Sequence, residues 1–338
     1  MRVRRPPRRG LISTLLDEGC RACGTCLLLA WCLLLAGCAD GEAGSQKSCS
    51  LEPIAELRLL PDPGHLVMAA SLGGQKVGLL LDTGAAISVI GRDSAQRFGL
   101  RAGSDRRFVW LVGVGGPTAA MLVDVRGLEL GRGVAHDLEL PVAGKFGRSV
   151  GGVPIIGVFG ADFLSNYDVD IDVPARHVAI WRLHRCGSQI HPPFAAPSFD
   201  LPFELDDTRI TFDVKLDGRT VPAFLDTGAF KTLVTPADAA AAGADAAALA
   251  ADPPARAVGI DGRLVAARLH RFASLEVGDE ILHNAPLLVA GTSSAELVLG
   301  ADWLRFNRVW ISYPLGRLFI QPVVPAAARA MPGASPGK

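Results

Sequence analysis

The chain has only 2 tyrosines in 338 residues, and aromatic residues make up 6% of it. It has no surplus of either charge: 34 Lys and Arg balance 34 Asp and Glu, so the formal net charge is zero. Without a basic excess it lacks the charge that neutralises phosphates, and no nucleic-acid partner is expected. Long apolar runs are also missing. The run 26–36 falls well short of the about 20 residues that a membrane-spanning helix needs. No His-Glu-x-x-His pattern occurs, which removes a familiar metal-dependent route to hydrolysis. The 7 histidines are scattered and read as surface or core residues, so no metal and no cofactor are expected. Amphipathic helical patterns are scarce. Plentiful turn formers, Gly 38 and Pro 23, point instead to short strands and many turns. A hydrophobic content of 49% with 20% charged residues suits a globular chain, and the length suits about two domains.

Residues 1–9 hold five arginines: Arg2, Arg4, Arg5, Arg8 and Arg9. The apolar run 26–36 follows and closes in Leu35-Ala36-Gly37-Cys38. A basic segment, a short apolar segment and small residues form an export signal. The Leu-Ala-Gly-Cys ending resembles the lipobox of bacterial lipoproteins. That resemblance implies a signal peptide over 1–37, lipidation of Cys38 and a tether over 38–50. It implies an exported protein, held on the periplasmic side of the cell envelope by an N-terminal lipid on a membrane. Asp17 and Glu18 depart from the pattern, and an uncleaved signal anchor is the competing reading. Cys20, Cys23, Cys26 and Cys32 fall inside the segment to be removed. Cys49 and Cys186 remain, either as a disulfide in an oxidising compartment or as two thiols.

The rest of the chain repeats itself. Residues 79–90 read LLLDTGAAISVI and residues 223–234 read AFLDTGAFKTLV, with the two aspartates offset by 144 residues. Residues 156–164 read IGVFGADFL and residues 296–304 read ELVLGADWL. Between these blocks each half has a glycine-rich turn, at 113–116 and at 259–262. Three landmarks in one order at near-equal spacing make a duplicated domain. Strands are expected over 77–81, 108–112, 119–125, 178–183, 211–216 and 317–321, where short partly alternating runs are bounded by Gly, Pro and Asp. The turn at 113–116 reads as a hairpin tip. A helix is expected over 236–251, after Thr235-Pro236. A proline-rich linker is expected over 187–202, and a structureless tail over 325–338.

The paired Asp-Thr-Gly triplets, each following an apolar strand and each followed by an apolar-Gly-Ala-Asp-aromatic-Leu block, resemble aspartic proteases of the pepsin and retropepsin type. The resemblance covers about 51–325. It implies an all-β chain of two tandem retropepsin-like β-barrel lobes, 51–186 and 203–324, in a pepsin-like bilobal fold with a central cleft. Asp82 and Asp226 match the catalytic aspartates. Thr83 and Thr227 match the threonines that brace the two loops. Gly84 and Gly228 match the glycines that admit the backbone to the carboxylates. Gly113, Val114, Gly115 and Gly116 match the flap, and Gly160 and Gly300 match the glycine of the later supporting strand. The activity implied is that of an endopeptidase on a peptide or protein substrate. A water loses a proton to one carboxylate while the other carboxyl supplies one, and two close carboxyls share one proton because both cannot ionise cheaply. Since one chain carries both halves, activity as a monomer is expected.

Several positions depart from the family. Ala85 and Ala229 replace a hydroxyl residue usual in pepsin-like enzymes, which removes a hydrogen bond favouring the charged form. A pH optimum less acidic than pepsin's is therefore expected. The flap has no tyrosine. Trp110 either takes that part or is a core residue of its strand, and the core reading is favoured. The second hairpin is either a second flap or a structural remnant. Lys231 is either solvated or a charge acting on the dyad. Asp162 and Asp302 are read as structural, and Asp168, Asp170 and Asp172 as the polar face of a strand. A lipoprotein that binds peptides without cutting them is the alternative function. A paired assembly, each half matched with another chain, is a third.

Overall fold

The structure, a computed structural model, describes residues 49–113, 116–135, 137–184, 190, 192, 194, 197–258, 264–291 and 296–323. The export signal, the lipid candidate Cys38, Cys186, the hairpin tip at Val114 and Gly115, the second tip and the tail lie outside the described residues.

Strands dominate, and the fold is all-β. Its duplication is visible in its tightest turns. Strands Val67–Leu72 and Gln75–Leu81 are joined by Gly73 and Gly74, both with positive φ. Strands Arg209–Leu216 and Arg219–Leu225 are joined by Asp217 and Gly218, again both positive. Two consecutive left-handed residues make the turn whose twist matches flanking strands, and Gly-Gly or Asp-Gly adopts it cheaply. The second strand of each hairpin runs into an Asp-Thr-Gly triplet. Each also pairs in parallel with the later apolar strand of its own half: Gln75–Leu81 with Val153–Phe159, and Arg219–Leu225 with Leu297–Leu299. Each lobe is completed by its own sheet and a long hairpin. In the first this is Phe108–Gly113 with Gly116–Val125, and in the second Pro254–Val258 with Leu264–Val277. The second hairpin is thus a formed ribbon.

A six-stranded sheet joins the halves, three strands from each, in the order Ser50–Arg58, His177–His184, Asp168–Asp172, Asn307–Ser312, Arg317–Pro322, Phe199–Pro202. At its centre Asp170 lies opposite Trp310 and Asp172 opposite Arg308. Aligning the two Gly-Ala-Asp blocks makes Asp170 and Trp310 equivalent, so the local two-fold passes between them. A buried apolar cluster runs from Leu57 and Leu81 through Ile171 and Ile311 to Leu225 and Leu299. A smaller cluster holds Ile190, Trp310 and Phe319, with Trp181 stacked on Trp310 at 5.9 Å.

Four sequence expectations change. The helix over 236–251 is two helices, Pro236–Ala241 and Ala246–Ala251, because Gly243 takes φ +99 and ends the first. Thr235 caps the first and Asp245 the second, each accepting a backbone N–H three residues on. The linker expected over 187–202 ends in a strand, Phe199–Pro202, because its alternating Phe199 and Leu201 pack on the core while it pairs with Arg317–Pro322. The aspartate run does form a strand with a polar face, but that face is not wet. Asp168 and Asp170 are fully buried. Asp170 is gripped by Arg308, Nε to Oδ1 at 2.9 Å and Nη2 to Oδ2 at 2.6 Å, and Asp168 accepts from Trp310 Nε1 at 3.2 Å. Trp110 is not a core residue: it is 64% exposed, on the face it shares with the exposed Phe108, because the hairpin projects beyond the lobe. Cys49 is disulfide-bonded, with its partner outside the described residues.

The Asp170–Arg308 pair ties the two halves at the centre of the shared sheet. Arg308→Met would leave a buried carboxylate without its cation, a loss of about 3 kcal/mol in unfolding free energy. Urea denaturation at pH 7 measures it, and a loss below about 1 kcal/mol would show the pair to be dispensable.

Candidate active site

The two Asp-Thr-Gly loops meet between the lobes. Each begins where its strand ends, and the first donor of each loop goes to the supporting strand: Asp82 N–H to the Phe159 carbonyl and Asp226 N–H to the Leu299 carbonyl, both at 3.0 Å. The loops are then fastened to each other by their threonines. Thr83 Oγ1 donates to the Leu225 carbonyl at 2.7 Å and accepts from Thr227 N–H at 3.1 Å. Thr227 Oγ1 donates to the Leu81 carbonyl at 2.8 Å and accepts from Thr83 N–H at 3.0 Å. Both threonines are wholly buried, so these four bonds replace water that is not there.

The carboxylates are set by backbone. Gly84 and Ala85 N–H donate to Asp82 Oδ1 at 3.0 and 2.9 Å, and Gly228 and Ala229 N–H donate to Asp226 Oδ1 at 2.9 and 3.1 Å. The glycines are required by close approach. A Cβ on Gly84 would stand 2.5 Å from the Asp226 carboxyl carbon, and one on Gly228 would stand 2.4 Å from that of Asp82. The two carboxyl groups are within hydrogen-bonding reach of each other. Burial pushes both above the ordinary carboxylate value, and the charge of Asp226 pushes Asp82 further. Buried Tyr313 belongs to the same neighbourhood: burial raises its hydroxyl, and the Asp82 charge adds to the rise. The sequence offered no sign of that proximity.

Asp162 and Asp302 stay outside this pair and brace it from behind, as their reading as structural groups anticipates. Asp162 Oδ1 accepts from Ser88 N–H and Oγ at 3.0 and 2.6 Å, and Ser88 Oγ accepts from Gly160 N–H at 2.8 Å. The second half repeats this with Asp302 Oδ1, Thr232 N–H and Oγ1 at 2.9 and 2.8 Å, and Gly300 N–H at 3.2 Å. Ser88 and Thr232 each stand six residues after an aspartate of the triplets. That shared hydroxyl was available in the repeat alignment as a signal. Lys231 is neither solvated nor set against the dyad: its Nζ lies 3.9 Å from Asp302 Oδ2, with a side chain 16% exposed. Gly113 and Gly116 pair across the first hairpin, as expected of a tip. No cluster of His, Cys, Asp and Glu suited to a metal is found among the described residues.

The aspartyl protease family matches residues 68–163, and the gag-polyprotein putative aspartyl protease family matches residues 212–306. The chain belongs to the retropepsin-type aspartic proteases. Each match spans one Asp-Thr-Gly loop and its Gly-Ala-Asp block, so one chain carries the two family halves. Among solved structures, a retropepsin-like aspartic protease from Rickettsia conorii is similar at 18% identity, covering 37% of this chain and 91% of that one, with a TM-score of 0.30. No curated protein matches the chain.

Raised carboxyl values make the dyad a pH-dependent cost. The folded state holds these protons more tightly than the unfolded chain does. The cost is therefore absent below the ordinary value of 3.8 and grows as pH rises through the raised values. Asp226→Asn removes one of the two groups. The difference in Tm between this variant and the parent should be smallest at pH 4 and widen towards pH 7. A gap independent of pH would mean that the dyad is not held protonated by its surroundings.

Proposed function

We propose that this aspartic protease is an endopeptidase in which Asp82 and Asp226 activate a water against a peptide bond. The observation that carries the reading is the pairing of two carboxyls across the facing loops, Asp82 buried and Asp226 half-buried, each using Oδ1 for two backbone donors and keeping Oδ2 for chemistry. With one proton between them, one group is a base and the other an acid. The base takes a proton from water as its oxygen bonds to the carbonyl carbon. The acid gives its proton to the carbonyl oxygen. As the C–N bond breaks, the leaving amine takes the proton from one carboxyl while a gem-diol hydroxyl gives its proton to the other, which returns the dyad to its single-proton state. An extended peptide would lie under the hairpin Phe108–Gly113 and Gly116–Val125, with the tip glycines as the flap. Burial of the pair and the missing hydroxyls at Ala85 and Ala229 favour an optimum at mildly acidic to neutral pH. Both aspartates come from one chain, which supports activity as a monomer.

Cleavage of a mixed peptide library by the full-length protein, between pH 3 and pH 8, tests this. The parent should cut best above pH 5, and Asp226→Asn should lose at least about a thousandfold in kcat/KM. Equal cleavage by both would remove the dyad from the mechanism. Binding without cleavage would favour the peptide-capturing alternative.

We also propose that the protein is exported and anchored through a lipid on Cys38. The support is the Leu-Ala-Gly-Cys sequence and the disulfide at Cys49, a bond suited to an oxidising compartment. Ser50 pairs with His184, two residues short of Cys186, which supports Cys186 as the partner of Cys49. Radiolabelled palmitate should enter the parent and not Cys38→Ala, and labelling of both would refute the assignment.

A further inference from the structure

The two halves match at the dyad and differ one step beyond it. Four and five residues after its aspartate, the first half has Ala86 and Ile87, where the second has Phe230 and Lys231. Phe230 is 39% exposed although its neighbours on the loop are largely covered. Cations gather on its ring. Lys231 Nζ lies 5.3 Å from the ring centroid and Arg305 Cζ 5.4 Å from it, and the His65 ring stacks at 6.1 Å. His65 comes from the first half, in a loop that meets the second half here, with Arg305 donating to the Pro63 carbonyl.

The negative charges nearby are already committed. Asp302 Oδ1 holds the Thr232 donors, and the same carboxylate is the ion partner of Lys231. Asp62 accepts from the backbone of Gly64 and His65 and pairs with Arg148. Among the described residues Arg305 has no carboxylate within ion-pair distance, and only a neutral carbonyl accepts from it. Burial pushes the Lys231 ammonium down, Asp302 opposes this, and the Arg305 charge adds to the fall, so the two cations are close enough to repel. A planar carboxylate relieves that repulsion and suits the guanidinium fork.

We propose that Phe230, Lys231 and Arg305 form a subsite for an acidic side chain of the peptide substrate, on the second-half side of the dyad. Ala86 and Ile87 leave the equivalent position on the first-half side apolar. The cleft then accepts a substrate in one direction, with its acidic residue towards Arg305 and an apolar residue opposite. This specificity rests on the peptidase reading, but it concerns binding as well as cleavage.

Octapeptides carrying one Glu, moved through each position and paired with a Gln twin, are the probes. With the full-length parent, Glu should exceed Gln about tenfold in kcat/KM at one position, and rising salt should reduce that ratio. Arg305→Gln should bring the Glu-to-Gln ratio to about one. Lys231→Ile, the residue of the first half, should reduce the ratio too, and it serves as the test if Arg305→Gln fails to fold. Fluorescence polarisation of the same peptide pairs on Asp226→Asn reads the subsite without turnover. A Glu preference in binding with no cleavage by the parent would keep the subsite and remove the peptidase reading. Equal handling of Glu and Gln at every position, or a preference that survives both variants, would overturn the subsite while cleavage still upheld the peptidase. Binding of no peptide in either assay would overturn both.

Discussion

The glycine of each Asp-Thr-Gly loop sits where the opposite aspartate leaves no room for even a methyl group. Gly84 abuts Asp226 and Gly228 abuts Asp82, with hypothetical Cβ atoms 2.5 and 2.4 Å from the carboxyl carbons. The rest of the structure can be understood as holding two backbones at that approach. Long side chains would need space and would lose rotamer entropy. The threonine hydroxyls do it through carbonyls that strand ends leave without partners, Leu81 and Leu225. Behind them the later strand of each half supplies a carbonyl and a helix start. Asp162 and Asp302 then stitch the far side of each loop to that strand through Ser88 and Thr232.

This explains which parts were legible in the sequence. The close approach tolerates one residue type at 84 and 228, and the grip needs a hydroxyl at 83 and 227, so both halves had to keep the same letters. The hairpin turns repeat for a similar reason, since only a few residue pairs take two positive φ values in succession. What could not be read depends on partners far along the chain. Trp110 lies in a run that suits a core strand, but its ribbon leaves the lobe. Asp168 and Asp170 alternate like residues facing water. They meet side chains of the neighbouring strand instead, Trp310 on Asp168 and Arg308 on Asp170. Lys231 needed Asp302, 71 residues on, to become half of an ion pair. Gly243 was visible, and the alanine run around it outweighed a residue whose φ of +99 a helix cannot use.

Duplication also released the halves from having to be identical. In a symmetric pair of subunits, any change beside one carboxyl appears beside the other as well. Here Ala86-Ile87 and Phe230-Lys231 have diverged while the triplets have not. At Asp170 and Trp310, where the two-fold sets a residue against its own copy, the two positions differ as well, one small and charged and the other large and aromatic.

The shared six-stranded sheet has a temporal side. A chain emerging from its N-terminus completes strands Ser50–Arg58, His177–His184 and Asp168–Asp172 long before Asn307–Ser312 exists. During that interval the strand Asp168–Asp172 is an open edge, with a full row of unpaired donors and acceptors. The natural claimant for that edge is the matching strand of another half-made molecule. Its buried aspartates make an early pairing unattractive, since Asp168 and Asp170 would meet aspartates in place of Trp310 and Arg308. The charges at the centre of the sheet thus guard the unfinished chain against its own kind until the correct strand arrives.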